Sequence, residues 1–374
     1  MFSKEDYTFM RRAINLAKTR KGLTHPNPTV GCVIVKGGKI VGEGVHWRAG
    51  MPHAEVEALK RAGKNAEGAT VYVTLEPCAH YGRTPPCSLA LLRAKVKRVV
   101  VATTDPNPKV AGKGIEILRK GGVKVDVGLL EEEAKKLNED FFWWITNKTP
   151  FVVLKIAQTL DGFIATPDGS SKWITSEGSR RLVHLLRCQS SAILVGVGTI
   201  LSDNPRLTVR SVPCERQPLR IILDTHLRTP LEAHITDTSE APTLIFTASD
   251  DWERIGAFER KGVEVIRIPA EGGLLDLREV LRILGEREVV SLLVEGGAKV
   301  FGAFLRERLF NKLYTFIAPK VFGRGIPPFE GFGVKNPDLA EVLKLERLTR
   351  IGDDILAEYY PRWGFPEKST IELL

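Results

Sequence analysis

Two kinds of apolar pattern alternate along the first part of the chain. Short valine- and isoleucine-rich runs predict β-strands, and longer segments with apolar residues three or four apart predict amphipathic helices. The predicted strands cover residues 30–36, 39–45, 70–74, 98–102 and 123–127, and the predicted helices cover 4–20, 54–62, 88–94, 114–120 and 131–144. Gly37-Gly38 indicates a hairpin between the first two strands. We expect a mixed sheet covered by helices on both faces.

The pattern starts afresh after the polar segment Asn147-Lys148-Thr149-Pro150. Strands are predicted at 151–158, 192–197, 219–223, 243–247, 263–268, 289–294, 312–321 and 355–360, and helices at 176–190, 275–286 and 298–309. This pattern again predicts an α/β fold. The sequence therefore predicts two domains, residues 1–147 and 148–374.

Composition is that of an ordinary globular protein, with 43% hydrophobic and 26% charged residues. No apolar run reaches the roughly 20 residues of a membrane helix, and no signal peptide is evident, so we expect a cytoplasmic protein without a membrane partner. Residues 1–147 hold 24 Lys+Arg against 15 Asp+Glu, whereas 148–374 hold 30 of each. The basic first part suits an anionic substrate or a nucleic acid, although a solvated basic surface would look the same.

Five cysteines are present. Two of them, Cys78 and Cys87, belong to the metal pattern described next. For Cys32, Cys188 and Cys214 we predict buried, reduced thiols, because an odd and sparse cysteine count gives no disulfide framework.

The chemistry of the first part is concentrated in His53-Ala54-Glu55, Pro77-Cys78 and Pro86-Cys87. One imidazole and two thiolates bind zinc and leave its fourth position open to water, which is the catalytic arrangement. Glu55 is then free to carry protons, so we predict one Zn²⁺ per chain and hydrolytic deamination of a heteroaromatic amine, with Glu55 as the catalytic residue. The alternative is a structural zinc site with His80 as the fourth ligand.

Nucleobase deaminases carry H-x-E followed by P-C-x-x-C. Here eight residues separate the two cysteines, which departs from that general signature. The segments 25–31, 42–46, 53–56, 74–87 and 105–108 closely resemble the bifunctional riboflavin biosynthesis deaminase-reductases, in which the longer cysteine spacing is the rule.

The resemblance implies a cytidine-deaminase-like, three-layer α/β/α fold for the first domain. It also implies a substrate, 2,5-diamino-6-(5-phosphoribosylamino)pyrimidin-4(3H)-one, contacted by Asn27, His46, Arg83 and Asn107. These side chains suit the task, since asparagine offers a donor and an acceptor to a pyrimidine edge and arginine pairs with phosphate. His46 as a turn histidine and Asn107 as an Asx-turn are the structural alternatives.

In the second part, Gly196-Val197-Gly198 follows a predicted strand but lacks the third glycine of a Rossmann fingerprint. The segment 294–298, Val-Glu-Gly-Gly-Ala, lies between a predicted strand and helix, where main-chain amides attract phosphate; a tight structural turn is the alternative. Together with 160–162 and 173–176, it resembles the reductase half of the same family. That resemblance implies a dihydrofolate-reductase-like α/β fold and NADPH as cofactor.

By the same resemblance, the cofactor contacts would be Ala157, Trp173, Thr199, Asp203, Gly297, Ala298, Lys299, Val300, Phe301, Gly302 and Ala303. The substrate contacts in the reductase would be Ser171, Arg187, Leu207, Arg210 and Glu295, with Lys155 added because a lysine in an apolar strand is unusual. The reaction would deliver hydride to the sugar C1 of 5-amino-6-(5-phosphoribosylamino)uracil, through the open-chain imine. Asp203, Glu295 and water are the alternatives for the proton donor. Read singly, Trp173 could be core, Arg187 a solvated helix residue and Thr199 a turn.

The partners predicted are a phosphorylated pyrimidine and further copies of the chain, without nucleic acid. One rival is a nucleic-acid deaminase with an appended binding domain, but residues 20–115 contain only Trp47, Tyr72 and Tyr81 for stacking bases. A second rival is a zinc-stabilised binding module without catalysis.

Overall fold

The computed structural model describes residues 2–79, 85–107 and 110–363. The chain divides between Thr149 and Pro150 into two compact units, which are described separately below. In those described ranges, none of the helices combines the length and apolar character needed to cross a bilayer.

The N-terminal unit contains five strands, β1 (Gly31–Lys36), β2 (Lys39–Val45), β3 (Thr70–Val73), β4 (Arg98–Val101) and β5 (Lys124–Val127). Its helices are α1 (Lys4–Lys18), α2 (Ala54–Ala62), α3 (Cys87–Arg93), α4 (Lys113–Lys120), α5 (Glu131–Leu137) and α6 (Glu139–Asn147). The strand order is β2-β1-β3-β4-β5. β1 runs antiparallel to β2 and β3, whereas β3, β4 and β5 are parallel.

Alternate residues of each strand enter two different cores, because successive side chains point to opposite faces of a sheet. Cys32 and Ile34 pack with α2, α3 and α4 on one face. Val33 and Val35 pack with α1 and α5 on the other face. The unit is thus a mixed sheet covered by helices on both faces, as the sequence pattern predicts, and it has the three-layer α/β/α arrangement that the family resemblance implies.

Two glycines of β2 bring α2 into direct contact with the sheet. A Cβ on Gly44 would lie 2.0 Å from the carbonyl oxygen of Ala54, and one on Gly42 would lie 2.3 Å from that of Ala58. Only glycine allows this approach, since any side chain would push the helix away. The start of α2, which carries His53 and Glu55, is thereby fixed against the sheet.

The single helix predicted over 131–144 is wrong, because the chain forms α5 and α6 with a break at Asn138. The Asn138 side chain is buried; its Oδ1 accepts from the Thr29 N–H at 2.7 Å, and its Nδ2 donates to the Thr29 carbonyl at 2.9 Å. This pairing satisfies both main-chain groups of Thr29, a long-range contact that helical periodicity does not reveal.

The C-terminal unit contains β6 (Phe151–Thr159), β7 (Ala192–Gly196), β8 (Leu219–Leu223), β9 (Thr243–Thr247), β10 (Glu264–Arg267), β11 (Ala270–Glu271), β12 (Leu274–Leu275), β13 (Ser291–Gly296), β14 (Lys312–Ala318), β15 (Leu343–Ile351) and β16 (Asp354–Pro361). Its helices are α7 (Glu177–Gln189), α8 (Val197–Asp203), α9 (Trp252–Arg260), α10 (Leu277–Glu286) and α11 (Ala298–Arg306). Sequence analysis missed α8, α9, β11, β12 and β15. Six of the nine β15 residues are exposed, and the alternation of apolar and polar residues breaks at Glu346-Arg347, where the pairing with β16 shifts register.

Nine strands form one sheet in the order β10-β9-β8-β7-β13-β6-β14-β16-β15. In this spatial order, the first seven strands, ending at β14, are parallel to one another. The last two, β16 and β15, each run antiparallel to the strand before them. The carboxyl ends of β7, β13 and β6 therefore meet at one edge, where ligands of open parallel sheets bind.

Cys188 and Cys214 form a disulfide, so the prediction of reduced thiols is wrong for this pair. Cys188 lies near the end of α7, and Cys214 lies in the segment between α8 and β8. Their sequence separation of 26 residues gives no local signal for pairing. Cys32, Cys78 and Cys87 are free, as predicted for Cys32.

We predict that the double variant Cys188→Ser/Cys214→Ser lowers the free energy of unfolding of this unit by about 2–4 kcal/mol, because the crosslink restricts the unfolded chain. Urea unfolding measures the loss, and the wild type under reducing conditions should match the variant. Thiol titration of the denatured, non-reduced wild type should find three free thiols. A count of five would contradict the disulfide.

Candidate active sites

The His53 imidazole is positioned by the start of α2. His53 is the residue immediately before the first helical turn, and Glu55 lies within that turn. The Glu55 side chain is buried, with 3% of the residue exposed. A helix N-terminus favours negative charge, so this is a suitable place for a carboxylate beside a cation.

Cys78 follows β3, and Cys87 is the first residue of α3, as the proline before it predicts. The Cys87 N–H donates to the Cys78 Sγ at 3.2 Å. Both the main-chain N–H and the hydroxyl of Ser88 donate to the Cys78 carbonyl, at 3.3 and 3.0 Å. The first turn of α3 therefore holds both cysteines in place.

The three predicted ligands converge on one point. His53 Nδ1 lies 3.6 Å from the Cys78 Sγ and 3.3 Å from the Cys87 Sγ. Tetrahedral zinc with ordinary Zn–N and Zn–S bonds separates such atoms by about 3.6 Å. The ligand atoms all lie within 4.8 Å of one another, so the set fits zinc in both donor type and spacing.

The pKa values in this cluster reflect burial and thiol contacts. Burial raises the pKa of Glu55 to about 7. A hydrogen bond with Cys87 lowers the pKa of Cys78 to about 4, and the same bond raises the pKa of Cys87. The hydrogen bond with Cys78 raises the pKa of His53. A coordinating dication acts against the shifts of Cys87 and Glu55, because it deprotonates thiols and stabilises a neighbouring carboxylate.

Asn27 and His46 lie beside the metal ligands. The rings of His46 and His53 are 5.3 Å apart, edge to face. The His46 Nδ1 lies 3.1 Å from the Pro52 carbonyl, which can only accept, so Nδ1 carries the proton. The Nε2 of His46 then accepts from the Asn27 Nδ2 at 3.1 Å. Burial lowers the pKa of His46, which keeps the ring neutral and fixes the orientation of the Asn27 amide.

A second cluster of charge lies at the strand ends of the C-terminal unit. Arg187 on α7 donates from Nε to Oε1 of Glu295 at 2.6 Å and from Nη2 to Oε2 at 2.9 Å. The Nζ of Lys155 lies 3.8 Å from the same carboxylate. Burial opposes ionisation of Glu295, but Arg187 and then Lys155 lower its pKa to about 2. The result is a buried, fixed anion held by two cations.

His184 joins this cluster, although sequence analysis assigned it no role. Its Nδ1 accepts from the main-chain N–H of Arg210 at 3.2 Å. Burial, followed by the charges of Arg187 and Arg210, lowers the pKa of His184 to about 4. The available signal was its position three residues before Arg187, which places both on one face of α7.

All three guanidinium nitrogens of Arg187 donate hydrogen bonds within the protein. Its Nη1 donates to the Thr208 carbonyl at 3.0 Å, while Nε and Nη2 bind Glu295. Arg210 is more accessible, and its Nη1 donates to the Thr208 hydroxyl at 2.9 Å. The structure thus brings Arg187, Arg210, Lys155 and Glu295 together, as the predicted substrate set requires.

The first turn of α8, directly after β7, lies against Gly296 and Gly297 at the end of β13. A Cβ on Gly296 would lie 3.3 Å from the Thr199 Oγ1, and one on Gly297 would lie 3.4 Å from it. Gly297 offers no side chain to cap α11. Main-chain N–H groups at such a helix start, with no side chain in front of them, suit a phosphate group.

The two halves of the chain match two known families. Residues 3–103 match the cytidine and deoxycytidylate deaminase zinc-binding region, and residues 150–357 match the RibD C-terminal domain. The riboflavin biosynthesis protein RibD of Aquifex aeolicus is 50% identical over 356 residues, covering 95% of this chain and 98% of that protein. The chain belongs to the RibD family.

Further relatives support membership in this family. RibD of Escherichia coli K12 is 43% identical over 370 residues, covering 94% of this chain and 98% of that protein. The solved structure of a diaminohydroxyphosphoribosylaminopyrimidine deaminase/5-amino-6-(5-phosphoribosylamino)uracil reductase from Thermotoga maritima superposes with a TM-score of 0.87 at 41% identity, covering 96% of this chain and 99% of that one.

Family membership confirms the predicted function. This RibD-family chain is a bifunctional deaminase and reductase of riboflavin biosynthesis, with a zinc site at His53, Cys78 and Cys87. Its cytidine-deaminase-like and dihydrofolate-reductase-like domains, the second with NADPH as cofactor, are those predicted. The region that the rival interpretation treats as a nucleic-acid-binding appendage is a reductase domain.

Two further residues named in the sequence analysis of the deaminase, the substrate contact Arg83 and the alternative zinc ligand His80, lie outside the described residues. The main-chain N–H of Asn107 donates to Oδ1 of Asp105 at 2.8 Å, which is an Asx-turn. The predicted contact of the Asn107 side chain with substrate stays a prediction.

In the reductase unit, Trp173 is 64% exposed, so the alternative of a core tryptophan is wrong. The Arg180 guanidinium stacks 4.6 Å above its ring. The Ser171 hydroxyl lies 3.4 Å from Oδ2 of Asp203. These three predicted residues therefore lie near one another along the segment before α7 and at the end of α8.

We predict that Cys78→Ala and Cys87→Ala each weaken zinc binding by more than about 100-fold, since losing a group that merely orients a ligand costs about 10- to 100-fold. Zinc measured by atomic absorption after dialysis should fall from about one per chain toward zero. Cys32→Ala is the matched control, because Cys32 is a buried free thiol outside the cluster. Full zinc content in the Cys87→Ala protein would contradict this ligand set.

Proposed function

We propose that residues 1–147 deaminate 2,5-diamino-6-(5-phosphoribosylamino)pyrimidin-4(3H)-one. Residues 148–374 then reduce the ribosyl group of 5-amino-6-(5-phosphoribosylamino)uracil to ribityl. Both reactions act on phosphoribosyl pyrimidines, the class of compound after which the Thermotoga maritima relative is named. The observation that carries the first step is a buried Glu55 beside a three-ligand metal set.

In the deaminase, His53, Cys78 and Cys87 hold the metal. When bound there, Zn²⁺ supplies an activated water, because it lowers the pKa of water toward 7. The Glu55 carboxylate takes up a proton at one oxygen and returns it to the departing amine. Its burial excludes bulk water, which would otherwise compete for that proton.

Substrate binding in the deaminase falls to Asn27, His46, Arg83 and Asn107. The neutral His46 orients the Asn27 amide through the 3.1 Å contact, so that the remaining donor and acceptor of Asn27 can meet a pyrimidine edge. Arg83 suits the ribose phosphate by its charge and planar geometry. Holding the ring in one orientation lowers the entropic cost of reaction.

In the reductase, NADPH supplies the hydride that reduces C1 of the sugar in its open-chain imine form. The cofactor contacts the segment from Gly297 to Ala303, and its phosphates are bound by the free main-chain amides at the start of α11. Thr199 lies against these glycines, and Ala157, Trp173 and Asp203 complete the cofactor contacts.

Of the two arginines predicted to contact the substrate, the geometry favours Arg210 as the one that binds its phosphate. Arg187 uses its nitrogens on Glu295 and Thr208, so it orients Glu295 and adds positive charge. Glu295 is ionised at neutral pH and therefore acts as a hydrogen-bond acceptor for the sugar rather than as the proton donor. Ser171, Leu207 and Lys155 complete the substrate contacts.

A cytoplasmic location, assembly into a homo-oligomer and the lack of a nucleic-acid or membrane partner stay predictions from the sequence.

We predict that Glu55→Gln keeps zinc but lowers the rate of ammonia release by about 100- to 10,000-fold, because the amide cannot carry a proton between water and amine. Ammonia release and NADPH oxidation are measured on the same preparation. NADPH oxidation with the pre-deaminated substrate should equal that of the wild type.

Glu57→Gln is the matched control, since it removes the same charge from the same helical turn. It should release ammonia at the wild-type rate. A Glu55→Gln protein that releases ammonia normally would remove Glu55 from the mechanism.

We predict that Arg210→Ala lowers kcat/KM for reduction by about 10- to 100-fold, since a hydrogen bond to a charged group contributes about 1.5–3 kcal/mol. The loss should appear chiefly in KM for the phosphorylated substrate, while deamination stays at the wild-type rate. Arg181→Ala, an exposed arginine on α7, is the control and should leave both activities unchanged. Equal loss of deamination and reduction in Arg210→Ala would contradict a site confined to the reductase unit.

A further inference from the structure

Glu76 is a buried carboxylate that the mechanism above does not use. It lies two residues before the zinc ligand Cys78, and 4% of the residue is exposed. Its own N–H donates to the Thr103 carbonyl at 3.0 Å, which fixes its backbone beside the end of β4. In the described part of the chain, four main-chain N–H groups donate to its carboxylate.

The four donors lie near the beginning of the segment that joins β4 to α4, at its end, and in the first turn of α4. Oε2 accepts from Asp105 at 3.3 Å and from Gly112 at 2.9 Å. Oε1 accepts from Gly114 at 2.9 Å and from Ile115 at 3.3 Å. One side chain therefore ties the beginning of this connection to its end.

Glu76 also takes the place of the missing helix cap of α4. The residue before α4 is Gly112, which has no side chain to bond the first amides. Glu76 accepts from the amides of that first turn instead, where the helix dipole favours a negative charge. A Cβ on Gly114 would lie 1.8 Å from the Pro77 carbonyl, so α4 packs directly against the residue that joins Glu76 to Cys78.

The contact extends to Asn107 through Asp105. Glu76 holds the main-chain N–H of Asp105. The Asp105 carboxylate in turn accepts from the Asn107 N–H at 2.8 Å. A continuous series of short contacts therefore leads from the Cys78 loop to the turn that contains Asn107.

We propose that Glu76 is a positioning residue of the deaminase, which sets the Cys78 loop and the Asn107 turn in a fixed relation to each other. It contacts neither the metal nor the substrate, and acts through the main chain of both segments. Its effect on substrate affinity rests on the proposed contact of Asn107 with the pyrimidine. Its effect on zinc retention is independent of that contact.

The test is Glu76→Gln in the full-length, zinc-loaded enzyme. Glutamine has the same shape, but its NH₂ group faces two of the four N–H donors and leaves them unpaired. We expect KM for deamination to rise about tenfold or more, with kcat changed less than about threefold, and NADPH oxidation unchanged. We also expect faster loss of zinc to a chelator, because the Cys78 loop is less constrained.

Glu116→Gln is the control, since it removes a negative charge from the same turn of α4 at an exposed position. It should leave KM and zinc retention at wild-type values. Assays well below the melting temperature separate positioning from stability. If Glu76→Gln lowers only the melting temperature, with KM and zinc retention unchanged, Glu76 is no more than a helix cap and the proposal fails.

A second pair of variants tests the link through Asp105 without disturbing α4. Asp105→Ala removes the acceptor for the Asn107 N–H and should raise KM for deamination. Asp105→Asn keeps a carbonyl acceptor there, so its KM should stay close to that of the wild type. Equal KM values in these two variants would overturn the link. If Asn107→Ala leaves KM unchanged, the substrate contact proposed above is wrong, and zinc retention in Glu76→Gln alone decides the role of Glu76.

Discussion

An ionised carboxylate can be buried only where other groups replace its water, and this constraint shapes both halves of the chain. Glu295 is satisfied by Arg187, which binds both of its oxygens. Asp140 is satisfied by Lys21 at 3.0 Å and by His25 at 3.2 Å, which keep its pKa well below the ordinary value despite burial. The carboxylate of Glu76 accepts from four main-chain N–H groups in the described part of the chain. In each case the partners come from distant segments, so satisfying the charge also fixes a connection close to a site.

Glu55 and Glu295 show how the same residue type serves two purposes. Both are buried, yet burial raises the pKa of Glu55 to about 7, whereas Arg187 and Lys155 overcome the burial of Glu295 and lower its pKa to about 2. Glu55 lies beside the three metal ligands, where a carboxylate can carry a proton between water and amine, whereas both oxygens of Glu295 are held by Arg187. The neighbours, rather than the carboxylates themselves, thus separate a proton carrier from a fixed anion.

The metal site could be predicted from the sequence because its signal is local. His53 immediately precedes the helical turn that contains Glu55, and both cysteines follow prolines at element ends. The Arg187–Glu295 pair joins residues 108 positions apart, so only the fold, or a resemblance to a known family, brings them together. The break at Asn138 escaped prediction for the same reason, since its amide satisfies Thr29 from 109 residues away. Periodicity shows which face of an element is apolar, but it does not show which buried polar group will find which partner.

The side chains proposed for the two activities form two separate sets. The groups proposed for deamination lie within residues 27–107, and those proposed for reduction lie within 155–303. Each unit also has its own hydrophobic core, formed on both faces of its own sheet. The phosphoribosyl pyrimidine skeleton common to both substrates, rather than any shared residue, is then what connects the two reactions.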